Sequence, residues 1–315
     1  MTTQAQPRRP AAPLEVFSPA KINLYLRILG KRPDGYHELE SVMLPLAFGD
    51  EITLQLRGTN LTLECDNPNL PTDDSNLALS AAKALAQAFA VKKGARIVLQ
   101  KRTPLAAGLG GGSSNAASVL MGLNRLWNLD APRARLDEIA ARLGSDINFF
   151  MIGGAALCRS RGEITEPIAC KFSGAILLAN PGFGIPTKWA YENWAKASTE
   201  ARLTVKPPEV SLLLRALAED DLAGVSHGMF NSLEAPSIRK FPVLELIKNA
   251  LREGGAAGAM MSGSGATVFG LFASAEVAEQ SARQIRGQFG PGVWTQVTQF
   301  AKLRPRPSAT RGTAR

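Results

Sequence analysis

The apolar residues of this chain follow two different periods, and the period changes along the sequence. Near the start, apolar and polar residues alternate in three short segments, which is typical of half-buried strands. These segments are 15–17, 22–29 and 51–56. Residues 76–89, rich in Ala and Leu, then predict a helix, and residues 96–100 predict a strand that leads into a run of glycines.

Helical periodicity resumes directly after those glycines. Six apolar residues recur at steps of three and four, so they lie on one helical face. They are Ala116, Val119, Leu120, Leu123, Leu126 and Trp127. Residues 136–143 predict another helix, which Gly144 ends.

A second mixed pattern begins after residue 165. Strands are predicted at 174–179, 257–261, 266–272 and 293–298. Helices are predicted near 187–195, 210–218, 238–253 and 275–288. A chain of 315 residues is long for a single core. We therefore expect an α+β protein of two domains, with a boundary near residue 168.

The most informative segment lies between the predicted strand 96–100 and the helix that follows it. It reads Pro104, Leu105, Ala106, Ala107, Gly108, Leu109, Gly110, Gly111, Gly112, Ser113 and Ser114. Glycines allow successive backbone N–H groups to point at one place, and the first turn of the helix adds unpaired N–H donors and the positive end of its dipole. The segment predicts a phosphate-binding loop, with two serine hydroxyls available to phosphate oxygens or to Mg²⁺.

Two common phosphate-binding motifs do not fit this segment. A Walker A loop needs Lys where Gly112 stands, and a dinucleotide motif starting at Gly108 needs a third glycine where Ser113 stands. The alternative is a flexible Gly/Ser linker, but linkers rarely end on an amphipathic helix.

The charge of the chain is concentrated at its ends. The net charge is +9, but seven basic residues and no acidic residue lie in 1–13 and 302–315, so +2 remains for the rest. Both ends are rich in Pro, Ala and Thr, and we predict them to be disordered basic tails. With 6% aromatic residues and no interleaving of basic and aromatic residues, the rest of the chain does not resemble a nucleic-acid platform.

Sequence features also bear on where the protein works. No apolar run reaches the ~18 residues of a membrane span, and the N-terminal residues lack the apolar stretch of a signal peptide. The cysteines Cys65, Cys158 and Cys170 have neither zinc-ligand spacing nor a disulfide pattern. We expect a cytoplasmic protein without a membrane partner.

Phosphoryl transfer from a nucleotide held by this loop requires a base for the acceptor hydroxyl and a cation for the developing charge. Asp146 stands directly before an apolar segment and is a candidate base; a helix N-cap or an Asx turn is the alternative. Lys21 lies in an apolar strand, which a phosphate or carboxylate partner would explain; a surface lysine with a snorkelling stem is the alternative. Side by side, Lys21 would keep Asp146 ionised and stabilise the acceptor oxygen as its proton leaves.

Three segments resemble the motifs of the GHMP kinases, a family named after galactokinase, homoserine kinase, mevalonate kinase and phosphomevalonate kinase. They are 18–24 (SPAKINL), 104–117 (PLAAGLGGGSSNAA) and 261–267 (MSGSGAT). Further segments resemble more narrowly the members that phosphorylate a cytidine diphosphate-linked methylerythritol. They are 29–39 (LGKRPDGYHEL), 143–146 (LGSD) and 180–187 (NPGFGIPT). The resemblance runs from about residue 14 to 300.

This resemblance implies ATP-dependent phosphorylation of the 2-hydroxyl of that small molecule, in the non-mevalonate route to isoprenoid precursors. Asp146 corresponds to the base and Lys21 to its partner. Residues 104–114 correspond to the loop that holds the ATP phosphates, with Mg²⁺ carried by the nucleotide and Ser114 as its candidate protein ligand.

The resemblance also assigns residues to pockets for the two bases. Asn76 and Lys101 correspond to positions that line the adenine pocket. The residues on the substrate side are Asn23, Tyr36, His37, Thr187 and Tyr191. Tyr36 can stack on a pyrimidine and His37 can read its edge through ring nitrogens; a surface pair beside a turn is the alternative.

The implied fold is α+β, with an N-terminal ribosomal-protein-like two-layer α/β domain at 14–168 and a C-terminal ferredoxin-like domain at 169–301. The active site then lies between the domains. This chain departs from the family pattern at two places. Many members have glycine where Ala106-Ala107 stands, and proline where Asn148 stands, which predicts a less rigid chain beside Asp146.

Two other functions remain open at the level of sequence. One is another GHMP kinase of the homoserine or mevalonate type, against which the segment 34–37 (DGYH) argues. The other is a nucleic-acid-binding module that uses the basic tails. The sequence leaves open whether the protein is a monomer or a homodimer.

Overall fold

The computed structural model describes residues 12–199 and 206–301. The predicted basic tails lie outside these residues, apart from positions 12 and 13, which are exposed. Within the described residues, none of the helices is long and apolar enough to cross a membrane.

Strands dominate the start of the chain, and helices alternate with strands after it. The first half contains β1 (Leu14–Lys31), β2 (His37–Leu56), β3 (Leu61–Cys65), α1 (Leu77–Ala88), β4 (Ala95–Gln100), α2 (Gly111–Leu126), α3 (Arg133–Leu143), α4 (Ile147–Ile152), β5 (Ala156–Ser160) and β6 (Ile164–Pro167). The second half contains β7 (Ala175–Asn180), α5 (Thr187–Thr199), α6 (Val210–Glu219), α7 (Leu222–Gly228), β8 (Phe230–Asn231), α8 (Glu234–Lys240), α9 (Val243–Glu253), β9 (Gly258–Met261), β10 (Val268–Phe272), α10 (Ala275–Phe289) and β11 (Trp294–Gln299).

The first sheet is built around one long hairpin. β1 and β2 pair antiparallel along nearly their whole length, from Leu14 opposite Leu54 to Lys31 opposite His37. The sheet runs in the order β3-β4-β2-β1-β8, and β5 pairs with β2 and with β6. α1 and α2 pack together against this sheet and bury a large apolar cluster. This is a two-layer arrangement of helices on a sheet.

The second sheet is antiparallel, in the order β11-β7-β10-β9. Its strands follow one another along the chain as β7, β9, β10 and β11. In the sheet, β7 therefore lies between β11 and β10. α9 and α10 supply the apolar side chains that cover it. This strand order and the two helices agree with the ferredoxin-like arrangement that the resemblance implies.

Contacts between the halves tie the two sheets together. β8, from the second half, extends the first sheet, where Tyr25 lies opposite Phe230 in a parallel pair. A shared apolar cluster between the sheets contains Ile22, Leu44 and Phe269. The predicted boundary at residue 168 falls between β6 and β7.

The helix predicted over 238–253 is wrong as a single element, because the structure divides it into α8 and α9. The break falls at Phe241, whose φ is −126° and ψ is 76°, directly before Pro242. Proline has no N–H, and its ring disfavours the helical conformation of the residue before it. The apolar period continues across the break because Ile238 and Phe241 pack on the same core.

Candidate functional site

A cavity of about 1060 Å³ lies between the two halves of the chain. Nearly all the residues that the sequence predicts for a site line this cavity. They are Lys21, Asn23, Tyr36, His37, Asn76, Lys101, Asp146, Thr187, Tyr191 and residues 104–113. Ser114 is the one predicted residue outside this lining.

The glycine-rich loop ends at the N-terminus of α2. Gly108 and Gly110 have φ values of 77° and 69°, in the left-handed region that favours glycine. Ser114 donates the first helical hydrogen bond, to the carbonyl of Gly110 (2.9 Å), so the N–H groups from Gly111 to Ser113 have no acceptor within the helix. The first turn carries no acidic residue. Three N–H donors and the positive end of the helix are therefore available to an anion in the cavity.

Two of the loop glycines are required by the packing of the protein itself. A Cβ on Gly108 would lie 2.1 Å from the carbonyl oxygen of Ser262, and a Cβ on Gly110 would lie 3.0 Å from Cγ of Lys21. A side chain at either position would therefore displace the backbone or the lysine. The close approach explains why the loop needs glycine there.

Lys21 and Asp146 lie side by side next to this loop. Nζ of Lys21 is 3.7 Å from Oδ2 of Asp146. The same ammonium donates hydrogen bonds to Oδ1 of Asn23 (2.6 Å) and to the carbonyl oxygen of Gly108 (3.0 Å). The alternative of a surface lysine is wrong, because only 5% of the Lys21 side chain is exposed, whereas Asp146 exposes 30%. The carboxylate is accessible and the cation beside it is fixed.

The local backbone accounts for the position of both side chains. The register of the β1–β2 pairing shifts on either side of Lys21, and such bulges change the direction of side chains at a sheet. The backbone N–H of Lys21 donates to the carbonyl of Leu109 (3.0 Å), which joins the strand to the loop. Asp146 occupies the N-cap position of α4, but its side chain makes no capping hydrogen bond. Asp146 therefore lies at an N-cap position, as the alternative interpretation predicts, but its carboxylate does not cap the helix.

Burial and charge set the protonation of the groups around this pair. Burial lowers the pKa of Lys21 from its ordinary value, and the negative charge of Asp146 opposes that shift. Burial raises the pKa of the Tyr191 phenol and of the Cys158 thiol, and Asp146 adds to both shifts. The phenol and the thiol are therefore neutral near pH 7.

Ser114, the expected ligand of Mg²⁺, lies outside the cavity. It is fully buried, and its hydroxyl accepts a hydrogen bond from the hydroxyl of Ser18 (2.8 Å). This position argues against the expected role. Ser113 is the serine of the loop that lines the cavity.

The residues expected near adenine line the cavity with their polar groups engaged by the protein. Oδ1 of Asn76 caps α1 by accepting from the N–H of Ala78 (2.9 Å), and its amide donates to the carbonyl of Pro71 (2.7 Å). Nζ of Lys101 donates to Oδ2 of Asp50 (2.5 Å) in an ion pair that is almost completely buried. No motif or apolar period singles out Asp50 in the sequence.

A cluster of aromatic rings forms another part of the site. The ring of His37 lies 5.1 Å from that of Tyr191 and 5.7 Å, edge on, from that of Trp194. Nε2 of His37 is buried and has no hydrogen-bond partner among the described residues. Burial, together with the charge of Lys31, lowers the pKa of His37 from its ordinary value of 6.5. The imidazole is therefore neutral at pH 7.

Tyr36 and Thr187 lie on the cavity wall beside residues that the sequence did not single out. The ring of Tyr36 is exposed, and the guanidinium of Arg161 lies 4.7 Å from its centroid. The hydroxyls of Thr187 and Ser264 are 3.2 Å apart. Ser264 belongs to the third motif, so the resemblance held a signal for it. Arg161 follows a short strand and has no motif that would have identified it.

The third motif holds the glycine loop from the second half of the chain. The hydroxyl of Ser262 donates to the carbonyl of Gly108 (3.0 Å), the same acceptor that Lys21 uses. The N–H of Thr267 donates to the carbonyl of Ala107 (3.2 Å). Both halves of the chain therefore set the position of the loop relative to the lysine.

Asn148, at the position where the resemblance implies proline, is held by a hydrogen bond. Its amide donates to the carbonyl of Asp137 in α3 (3.1 Å), which ties α4 to α3. Oδ1 of Asn148 is buried without a partner among the described residues. The tether to α3 fixes the segment after Asp146 in place of a proline ring.

Comparison with known sequences identifies the family. The family model described as "GHMP kinases N terminal domain" matches residues 76–154, and the model described as "GHMP kinases C terminal" matches residues 188–291. A Synechococcus protein named 4-diphosphocytidyl-2-C-methyl-D-erythritol kinase is 42% identical over 93% of this chain and 96% of its own length. A protein of the same name from Acetivibrio thermocellus is 40% identical over 80% of this chain and 88% of its own length.

Solved structures agree with this result. The crystal structure of a 4-(cytidine 5'-diphospho)-2C-methyl-D-erythritol kinase is 34% identical, with a TM-score of 0.76 over 91% of this chain and 100% of that one. A homoserine kinase from Cytophaga hutchinsonii shares the fold, with a TM-score of 0.71 and 18% identity over 96% of this chain and 99% of that one. The predicted α+β fold is confirmed. The chain belongs to the GHMP kinases and, within them, to the family of the 4-diphosphocytidyl-2-C-methyl-D-erythritol kinases.

Proposed function

We propose that this chain transfers the γ-phosphate of ATP to the 2-hydroxyl of 4-diphosphocytidyl-2-C-methyl-D-erythritol, in the non-mevalonate route to isoprenoid precursors. GHMP kinases are phosphotransferases that use ATP as co-substrate, and the relatives carry the name of this enzyme. One observation carries the proposal: the Lys21–Asp146 pair borders the glycine loop in the same cavity as the unpartnered Nε2 of His37. The Lys21–Asp146 pair beside the loop suits phosphoryl transfer, and the buried nitrogen of His37 suits the selection of a nucleobase.

ATP would lie with its phosphates against the loop. The free N–H groups of Gly111, Gly112 and Ser113 are already oriented by α2, so they can bind phosphate oxygens without reorganisation. Asn76 and Lys101 border the cavity on the side of α1 and β4, where the adenine would lie. The apolar side chains of Leu70 and Leu77 line the same region and offer a surface for a purine.

In the proposed reaction, the acceptor oxygen attacks the γ-phosphorus and its proton passes to Asp146. The bond between the γ-phosphorus and the β–γ bridging oxygen breaks, and ADP leaves. The ammonium of Lys21, 3.7 Å from the carboxylate, would offset negative charge on the acceptor oxygen. Because Asn23 and Gly108 hold that ammonium, its charge does not have to be reoriented during the reaction.

Mg²⁺ would enter with the nucleotide. No group of three His, Cys, Asp or Glu side chains in the described part of the chain could hold a metal ion. Asp146 and Glu192 bring carboxylates to the described cavity, and Mg²⁺ is commonly held by one or two carboxylates, water and substrate phosphates. The residues therefore fit a nucleotide-bound ion, which would neutralise charge on the β- and γ-phosphates.

The aromatic cluster supports a pyrimidine-containing substrate. A buried nitrogen such as Nε2 of His37 is costly until it forms a hydrogen bond, and the polar edge of cytosine supplies a partner. Tyr36 and Tyr191 offer flat faces on which a base can stack. Homoserine and mevalonate contain no aromatic ring, so they could not stack on these faces.

The diphosphate of the substrate requires cations that the protein has not already neutralised. Lys21 and Lys101 are each paired with an internal carboxylate. Lys31 and Lys188 also line the cavity and are exposed, and the nearest acidic group to Lys188 is 4.0 Å away, on Glu192. We expect these two lysines to attract the diphosphate.

We also propose the division into an ATP-binding domain at 14–168 and a substrate-side domain at 169–301. The cavity residues all belong to one chain, so a monomer would suffice for catalysis and a homodimer is compatible with it. Neither nucleic acid nor a membrane takes part in this reaction. Free cysteines in the described part of the chain are consistent with a cytoplasmic enzyme.

The decisive experiment compares acceptors. The purified protein is incubated with ATP, Mg²⁺ and, in turn, the cytidyl substrate, methylerythritol 4-phosphate without the cytidine, homoserine and mevalonate. We expect rapid ADP formation with the cytidyl substrate alone and a product phosphorylated at the 2-hydroxyl, identified by NMR. Equal rates with and without the cytidine, or turnover of homoserine or mevalonate, would contradict the proposal.

A further inference from the structure

Asp50 is a buried carboxylate that gathers hydrogen bonds from both ends of the glycine loop. It lies on β2 opposite Ser18 of β1, and it is completely inaccessible to solvent. Oδ1 accepts from the backbone N–H groups of Arg102 (2.9 Å) and Thr103 (2.8 Å), directly before the loop. Oδ2 accepts from the amide of Asn115 (2.9 Å), directly after it. One carboxylate therefore connects the entry and the exit of the loop.

The same carboxylate fixes a cation beneath the loop. Nζ of Lys101 donates to Oδ2 of Asp50 at 2.5 Å, and only 4% of the lysine side chain is exposed. A Cβ on Gly111 would lie 3.0 Å from this ammonium, so the charge sits against the first residue of α2. Charge-assisted hydrogen bonds of this kind are short and directional, and they hold their partners in one geometry.

The network extends from Asp50 into the start of α2. The amide of Asn115 also donates to the hydroxyl of Ser18 (2.9 Å), which donates in turn to the hydroxyl of Ser114 (2.8 Å). This explains why Ser114 is buried. Each of these polar groups has a partner, so the network specifies one arrangement of the loop against β1 and β2.

We propose that Asp50 is a positioning residue for ATP: it holds the two ends of the glycine loop, and the ammonium of Lys101, in the geometry that binds the phosphates. The proposal rests on the part of the proposed function that assigns the phosphates to this loop. Asp50 is inaccessible to solvent and does not line the cavity, so it can act on a ligand there only through the loop and Lys101. Its removal should therefore weaken ATP binding and leave the binding of the acceptor unchanged.

The test uses three variants of the full chain. Asp50→Asn keeps the shape of the side chain and removes its charge. Asn115→Ala removes the two hydrogen bonds that its amide donates, to Asp50 and to Ser18, and leaves the ion pair intact. Leu251→Ala serves as the control, because Leu251 is fully buried in the core of the second sheet and has no contact with the network. ATP affinity is measured by calorimetry without acceptor, and the KM values of ATP and acceptor are measured separately.

We expect Asp50→Asn to weaken ATP affinity and raise the KM for ATP on the order of tenfold, because a loop shifted by a fraction of an ångström no longer matches the phosphates. Asn115→Ala should act in the same direction with a smaller effect, and it decides the question if Asp50→Asn does not fold. The KM for the acceptor should change less than about twofold in both. Leu251→Ala should lower the melting temperature and leave both KM values unchanged.

Unchanged ATP affinity in the folded variants would overturn the proposal. Equal increases in both KM values, matched by Leu251→Ala, would also overturn it, because the effect would then be one of general stability. Calorimetry with ATP alone separates this outcome from a failure of the proposed acceptor. A protein that binds ATP and does not phosphorylate the cytidyl substrate would refute the acceptor and still report the effect of Asp50.

Discussion

Nζ of Lys21 lies 3.7 Å from Oδ2 of Asp146, and the two side chains differ in exposure, at 5% and 30%. The ammonium of Lys21 also donates hydrogen bonds to Asn23 and to the carbonyl of Gly108, which hold it in place. A base must reach the substrate, whereas a cation that stabilises charge works best when it is held in place. The geometry fits the proposal that Asp146 and Lys21 divide these two tasks between them.

Asp146→Asn should lower kcat by a factor on the order of 10²–10⁴, because the amide cannot accept the proton of the acceptor hydroxyl. The Kd for ATP should change less than about twofold, since the loop is intact. Asp220→Asn is the matched control: Asp220 bonds to Ser173, does not line the cavity, and should keep full activity. Steady-state assays measure kcat, and calorimetry measures the Kd for ATP. Turnover at the wild-type rate in Asp146→Asn would exclude it as the base.

Lys21 should produce the basic limb of the pH profile. Burial lowers its pKa from the ordinary 10.5, so the ammonium loses its proton at a lower pH than an exposed lysine does, and kcat should fall as pH rises through that point. The raised pKa values of Tyr191 and Cys158 keep these groups from titrating there. Protonation of Lys21 also opposes folding below its folded-state pKa, and this cost disappears above pH 10.5.

The check is the pH profile of Lys21→Met. We expect a lower kcat and the loss of the basic limb, because the titrating ammonium is gone. Thermal unfolding at each pH shows over which range the variant stays folded. A basic limb that persists unchanged in Lys21→Met would assign it to another group.

The sequence predicted the local elements of the site better than its long-range contacts. The glycine loop, the helix after it and the position of Asn76 at the start of a helix all follow from residues close together in the chain. No local pattern identifies Asp50, because its partners lie more than 50 positions away. Hydrogen bonds between distant side chains leave no periodic signal.

The same limit explains where the structure departs from expectation. Ser114 adjoins the loop and was therefore expected near Mg²⁺, but helix geometry turns it toward Ser18 and into the core. Residues 238–253 were predicted as one helix because the apolar period continues across Pro242. It continues because the two short helices pack on the same core. The closeness of Lys21 and Asp146 came from chemical reasoning about the reaction and from the family motifs, since 125 positions separate them and no spacing rule connects them.

His37 should bind the substrate as a neutral imidazole. Burial and the nearby charge of Lys31 lower its pKa below 6.5, so the KM for the cytidyl substrate should stay constant as pH falls through 6.5 and rise only below the lowered pKa. Lys31→Met removes one cause, and the pKa of His37 should then move up towards 6.5. The chain has two histidines, His37 and His227, so NMR titration with His227→Gln for assignment measures this directly. A pKa of His37 that does not move in Lys31→Met would contradict the electrostatic argument.

Gly112→Ala should separate stability from function in the glycine loop. A Cβ on Gly112 would meet only Leu77, at 3.6 Å, which is an ordinary contact. Because Gly112 lies in the first turn of α2, alanine should stabilise the fold by up to about 0.5–1 kcal/mol. The added methyl also lies at the cavity wall, so it should weaken ATP affinity on the order of tenfold by keeping phosphate from the N–H groups.

Gly287→Ala is the matched control, since Gly287 lies within α10 and a Cβ there would meet nothing within 4 Å. It should raise the melting temperature to a similar degree and leave ATP affinity unchanged. Calorimetry and thermal unfolding of both variants distinguish the two effects. If Gly112→Ala binds ATP as tightly as the wild-type protein does, the phosphates do not lie against the first turn of α2, and the site must be placed elsewhere in the cavity.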